Sequence, residues 1–136
     1  MTHASATVLT ALIAWALLLL VLMEVLRTRL VATKAVASNE FKPDNSNLSP
    51  FMQRLARAHA NCVEGLPIFG GLLVVALLTN RAGITDPLAP WLLAARLIQS
   101  TTHLASLSVL AVNIRFLAFA VQIAIAAYWS WALLVG

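Results

Sequence analysis

The chain has 136 residues, of which 61% are hydrophobic and only 10% are Asp, Glu, Lys or Arg, against roughly 25% charged for an average soluble domain. So little polar surface cannot cover a soluble fold, and the length leaves no room for a soluble catalytic domain beside a membrane unit. The net charge is +4, but six of the nine basic residues fall sparsely between Arg27 and Arg57, which argues against a nucleic-acid partner.

The first predicted helix covers residues 4–26, centred on the run from Leu12 to Val21. Twenty or so apolar residues span about 30 Å of hydrocarbon at a rise of about 1.5 Å each. Arg27 and Arg29 end it. Met1-Thr2-His3-Ala4 carries neither a basic region nor a convincing cleavage signal, so the run reads as a retained helix and not as a signal peptide. Residues 33–53 break the apolar pattern and form the one long loop. Ser49-Pro50 opens the second helix, residues 51–78, because proline is tolerated in a first helical turn. Pro67 is expected to bend this helix. Gly70 and Gly71 are expected to let a neighbouring helix come close.

A short turn at 79–87 leads to the third helix, residues 88–112. Arg96, Gln99, Ser100, Thr101, Thr102, His103, Ser106 and Ser108 interrupt it, so most of its circumference should face protein. Asn113-Ile114-Arg115 reads as a tight turn before the fourth helix, residues 114–135. Tyr128, Trp129 and Trp131 suit an interfacial aromatic belt. The basic 27–57 connection and the 113–115 turn are placed in the cytoplasm, with both termini on the opposite side. The expected fold is all-α: an integral membrane four-helix bundle, one multi-pass domain over residues 1–136.

Within the second helix, Arg54, Arg57, Asn61 and Glu64 are spaced three, four and three residues apart. At about 100° per residue they share one stripe roughly 80° wide. Isolated charges at bilayer depth cost at least about 2.5–3.5 kcal/mol each, so the stripe should face protein or a ligand. Guanidinium groups for carboxylates and Glu64 for an ammonium make a receptor for a small zwitterion. Arg96, Gln99 and His103 form a second stripe on the third helix. The plainer reading is that such groups are packing glue between helices, worth about 0.6 kcal/mol per bond. Arg54 alone can snorkel to the interface. His59 points away from the stripe and reads as structural. Cys62, the only cysteine, reads as packed, because no base lies on its side of the helix. His3, His59 and His103 are too far apart for a metal site, so no metal is expected.

The segment from Arg54 to Phe69, with Arg57, Asn61, Glu64 and Pro67 at fixed offsets, resembles the signature of the MAPEG superfamily, membrane-associated proteins in eicosanoid and glutathione metabolism. The length, the four spans, the basic first connection and the Arg96 and Arg115 landmarks fit as well, in the manner of bacterial members. The resemblance implies a homotrimer in the bacterial inner membrane, with glutathione as co-substrate bound between subunits toward the cytoplasm. It implies that Arg57, Asn61 and Glu64 hold the glutathione backbone, with Arg54 a supporting charge. Arg115 resembles the catalytic arginine beside the glutathione sulfur, and Arg27 and Arg29 resemble basic residues that approach the ligand. Arg96, Gln99 and His103 complete the expected ligand-binding set. Two departures argue against eicosanoid-type activity: Gly65 stands where those enzymes often have tyrosine, and Gln99 and His103 replace tyrosines of the third helix.

The expected function is therefore a membrane-bound glutathione transferase or peroxidase acting on lipophilic electrophiles or hydroperoxides. The alternative is a non-catalytic membrane protein on the same scaffold that binds glutathione or another small anion. A transporter or channel subunit is a third class, which solute flux in liposomes would distinguish.

Overall fold

The computed structural model describes residues 3–136; Met1 and Thr2, the start of the expected domain, lie outside them. Helix α1 spans Ala4–Ala32, α2 Pro50–Leu78, α3 Ala82–Thr85, α4 Ala89–Ala105 and α5 Val109–Val135, and no strand occurs among the described residues. Three of these, α1, α2 and α5, are long and apolar enough to cross a membrane. Helix α4 has 17 residues, a length of about 26 Å.

Helix α1 buries Ser5, Val8, Leu12, Ala16, Leu19 and Met23 along one seam, at spacings of three and four residues. Its other faces leave Leu17, Leu18, Val21 and Val25 exposed, as hydrocarbon solvent allows and water does not. The helix continues past the expected stop at Leu26 to Ala32. Arginine is a good helix former, and Arg27 finds partners in the loop: its Nε and Nη2 donate to Asn45 Oδ1 at 3.1 and 2.6 Å. Asn45 is fully buried, and its Nδ2 donates to Met52 O at 2.7 Å, so one side chain joins α1, the loop and α2.

Ser49 caps α2 by accepting from the Met52 N–H at 3.3 Å, and Pro50 occupies the first turn. The helix runs without interruption through Pro67. A Cβ on Gly70 would lie 3.2 Å from Leu9 Cδ1, so α1 does approach closely there, whereas Gly71 faces open space.

The other end of the molecule is tied by Asp86. Its carboxylate accepts from Ser5 N at 2.8 Å, Ser5 Oγ at 2.6 Å and His3 Nδ1 at 3.1 Å, placing negative charge at the N-terminus of α1 where free N–H groups favour it. Burial opposes that charge, but the Ser5 hydroxyl, the Ser5 amide and His3 outweigh it and hold the carboxyl below the ordinary carboxylate range. Arg81, in the 79–87 turn, donates to Leu133 O and Ala132 O at 2.9 and 2.8 Å. It thereby satisfies the Leu133 carbonyl in the last turn of α5 and adds a second donor to Ala132 O, which also accepts from the Gly136 N–H.

The α4–α5 boundary differs from expectation. The break falls at Ser106-Leu107-Ser108, not at 113–115, so the expected 88–112 and 114–135 helices become Ala89–Ala105 and Val109–Val135. Ser108 Oγ accepts from the Ala111 N–H at 3.2 Å and starts α5 as an N-cap. Asn113 and Arg115 are therefore helical. Trp129 also departs from the aromatic-belt reading: it is fully buried among Val8, Leu12, Phe69, Leu73 and Leu92, where α1, α2, α4 and α5 meet, while Tyr128 and Trp131 are exposed. A second core joins α1 to α2 through Leu19, Met23, Met52 and Leu55.

Candidate functional site

Helical periodicity keeps Arg54, Arg57, Asn61 and Glu64 on one flank of α2, but tertiary packing divides them between two hollows. Arg54 and Arg57 line a hollow of about 270 Å³ with Asp44, Gln53 and Leu107. The Arg54 Nε donates to Leu104 O at 3.0 Å, and its guanidinium lies 5.9 Å from the Phe51 ring centroid. Arg57 is exposed. The Ser46 backbone N–H, at 3.0 Å, holds the Asp44 carboxyl below its ordinary value, so the hollow carries one carboxylate against two guanidinium groups.

Asn61 and Glu64 line the second hollow, a cleft of about 490 Å³ between α2, α4 and α5. Arg96 is its buried polar wall, and Phe119, Ile123 and Ala126 supply an apolar floor. Only 4% of Arg96 is exposed. Its Nη1 reaches Asn61 O at 3.5 Å and its guanidinium sits 5.5 Å from the Phe69 centroid. Among the described residues no carboxylate lies within ion-pair distance of it. Such a charge at depth is costly unless something polar completes its shell.

His103 in the last turn of α4 and Arg115 in the second turn of α5 flank the α4–α5 break. His103 is buried, and among the described residues neither its Nε2 nor the buried Arg115 Nε has a partner. Arg54 reaches this end of α4 from α2, through its bond to Leu104 O. The cations Arg54 and Arg57 thus lie in one hollow and Arg96 in the other, with buried nitrogens left unused at His103 and Arg115. A protein-family model described as the MAPEG family matches residues 5–135. The chain belongs to the MAPEG family. No curated protein and no solved structure matches it.

The match covers all four long helices of this MAPEG protein, and with three span-capable helices it makes the chain a membrane protein. Like Arg54, the predicted site residues Arg27 and Gln99 have partners within the protein. Arg27 spends its donors on Asn45 Oδ1, Lys42 O and Glu24, and stacks 5.3 Å from the Phe41 centroid, so it anchors the loop. Gln99 accepts from Gln122 Nε2 at 2.8 Å, a buried pair that joins α4 to α5. Gln122 escaped the sequence reading, although it is the only polar side chain in α5 between Arg115 and Tyr128. Its Oε1 is buried and has no partner among the described residues. Cys62 shares a 3.3 Å contact with Ser100 and sits in the α1–α2 core.

Proposed function

We propose that this MAPEG protein is a membrane-bound glutathione transferase or peroxidase acting on lipophilic electrophiles or hydroperoxides. The observation that supports it best is the cleft in which buried Arg96, with no carboxylate in ion-pair distance among the described residues, stands beside Asn61 and Glu64 of the α2 stripe. Glutathione carries two carboxylates, an ammonium, amides and a thiol. Arg57, supported by Arg54, takes a carboxylate, Glu64 the ammonium and Asn61 an amide. Arg96 and His103 offer further hydrogen-bonding groups from α4, while Gln99 braces that wall through Gln122. Arg27 is assigned to the loop and given no ligand contact.

Arg115 is the catalytic residue of this proposal. Its guanidinium favours the thiolate over the thiol, and each tenfold gain in ionisation needs about 1.4 kcal/mol of preferential stabilisation. The thiol proton leaves to water. The sulfur electron pair then forms the bond to an electrophilic carbon, and the leaving group departs with its own bonding pair. With a hydroperoxide, sulfur takes the terminal oxygen, an alcohol leaves, and a second glutathione resolves the sulfenic acid to a disulfide and water. The electrophile is already dissolved in lipid and glutathione is cytosolic, so the chemistry belongs at the helix ends between them.

The active unit is proposed as a homotrimer of four-helix subunits in the bacterial inner membrane, with α4 as the fourth span. Exposed Arg57 and Glu64 on the protomer flank are costly against lipid, and a neighbouring copy would cover them. The positive-inside rule puts the 33–49 loop in the cytoplasm and both termini across the membrane. Impermeant thiol labelling of Ser38→Cys in a Cys62→Ser background tests this; labelling from the periplasm reverses the topology. Calorimetric titration with glutathione and S-hexylglutathione tests the binding half, and uptake of neither sinks the enzyme reading. Turnover of chlorodinitrobenzene or cumene hydroperoxide tests the chemistry. Retention of glutathione with no turnover leaves a binding protein on the same scaffold.

A further inference from the structure

A third cavity, of about 460 Å³, lies away from the α2–α4–α5 cleft, between the end of α1, the loop and the start of α2. Its walls are Leu26 and Leu30 from α1, Val36 and Leu48 from the loop, and Phe51 and Met52 from α2. Arg29, Asn47 and Ser49 are the polar residues of its lining. We infer that this groove holds an acyl chain of an anionic phospholipid, with Arg29 binding the phosphate.

The groove is built in advance and needs no ligand to shape it. Asn45 fastens the loop to Arg27 and Met52. Asn47 Nδ2 donates to Glu40 O at 2.9 Å, and Gln53 Nε2 to Leu48 O at 3.0 Å. With these bonds made, the loop backbone stands off α1 at a fixed distance and the apolar walls stay apart. The volume falls within the range of about 300–1,000 Å³ common to small-molecule sites.

Position and charge select the occupant. Val21 and Val25, exposed on α1, belong to the lipid-facing surface, and Arg29 follows Val25 by one turn. The groove therefore opens where hydrocarbon gives way to headgroups. No acidic residue lines it. The Arg29 side chain is exposed and makes no ion pair or hydrogen bond among the described residues, in contrast to Arg27. A free cation above an apolar slot complements an acyl chain with a phosphate at its head. A soluble anion would use Arg29 and leave the six apolar walls wet.

Native mass spectrometry of the delipidated, detergent-purified full-length assembly tests the inference, with dioleoyl phosphatidylglycerol and dioleoyl phosphatidylcholine as probes. Phosphatidylglycerol should bind roughly fivefold more tightly, the factor expected from one basic residue at the interface. Arg29→Gln should remove that preference by weakening phosphatidylglycerol more than phosphatidylcholine, whose phosphate is neutralised by its own choline. Lys42→Gln, which removes an exposed charge of the same loop that is absent from the groove lining, should retain it. Leu48→Trp should fill the slot and weaken both lipids. Equal affinity for the two lipids overturns the inference, as does a preference that survives Arg29→Gln or is lost equally in Lys42→Gln. Displacement of the lipid by soluble glycerol phosphate identifies a headgroup site without a chain groove. Failure to bind either lipid identifies a groove covered by another copy. Both of these outcomes overturn it too. None of these results depends on glutathione, so the proposed enzyme function stands or falls separately.

Discussion

Gly65 lies directly against the Arg96 guanidinium: a Cβ at position 65 would stand 2.7 Å from Arg96 Nη2 and 3.0 Å from Phe69 Cε2. The absence of a side chain on α2 is thus what lets an arginine from α4 fold into the space beside Asn61. Alanine there gains helix propensity of about 0.5–1 kcal/mol, which offsets the crowding, since the nearest atom is the movable end of a long side chain. Gly65→Ala should leave the melting temperature within a few degrees, by the usual scaling of about 1 kcal/mol to several degrees, while lowering S-hexylglutathione affinity several-fold as Arg96 is pushed into the cleft. Unchanged affinity would detach Arg96 from the site.

Glu64 and Arg115 should separate binding from chemistry. Glu64→Gln removes a charge-assisted partner of the glutathione ammonium and should weaken binding by about 1.5–3 kcal/mol, a factor of ten or more. Arg115→Leu should leave affinity near pH 7 almost unchanged, because its partner exists only after deprotonation. Thiolate formation and turnover should then fall together. The ultraviolet thiolate absorption followed against pH reads the bound thiol directly. In Arg115→Leu its midpoint should rise toward that of free glutathione, and an unmoved midpoint removes Arg115 from the mechanism.

Asp86 ties the start of α1 to the α3–α4 turn through a carboxylate held below its ordinary range. A carboxyl depressed on folding stabilises the protein above its unfolded value of about 3.9, and that contribution is lost as pH falls through the folded value. Wild-type thermal stability in detergent should therefore drop as pH is lowered below about 4. Asp86→Asn should be less stable at neutral pH and should lose most of that acid-side slope. Parallel profiles for the two proteins would show that the tie carries no stability.

The charged flank of α2 predicts assembly. Mild-detergent mass measurement should give three chains, and glutathione should bind only to that species. A monomer that binds glutathione with full affinity would mean that one protomer completes the site by itself.

Composition and periodicity alone determined the class of the protein and the stripe of α2. Sixty-one per cent hydrophobic residues with few charges leaves hydrocarbon as the only solvent for these helices, and spacings of three and four place Arg57, Asn61 and Glu64 on one flank whatever surrounds it. Those are local properties of a helix. The tertiary structure decided which of those residues have partners. Arg27 and Arg29 look alike in sequence, yet Asn45 folds back onto one and leaves the other free. Gln99 looked like a ligand residue until Gln122 took its carbonyl. The α4–α5 break moved to Ser106–Ser108, because an apolar run continues on both sides of it and only the capping by Ser108 and the packing of the two helices set its place. Arg96 stays buried beside α2 because Gly65 on that neighbour leaves it room, a contact set by how two distant segments meet and by nothing within either one.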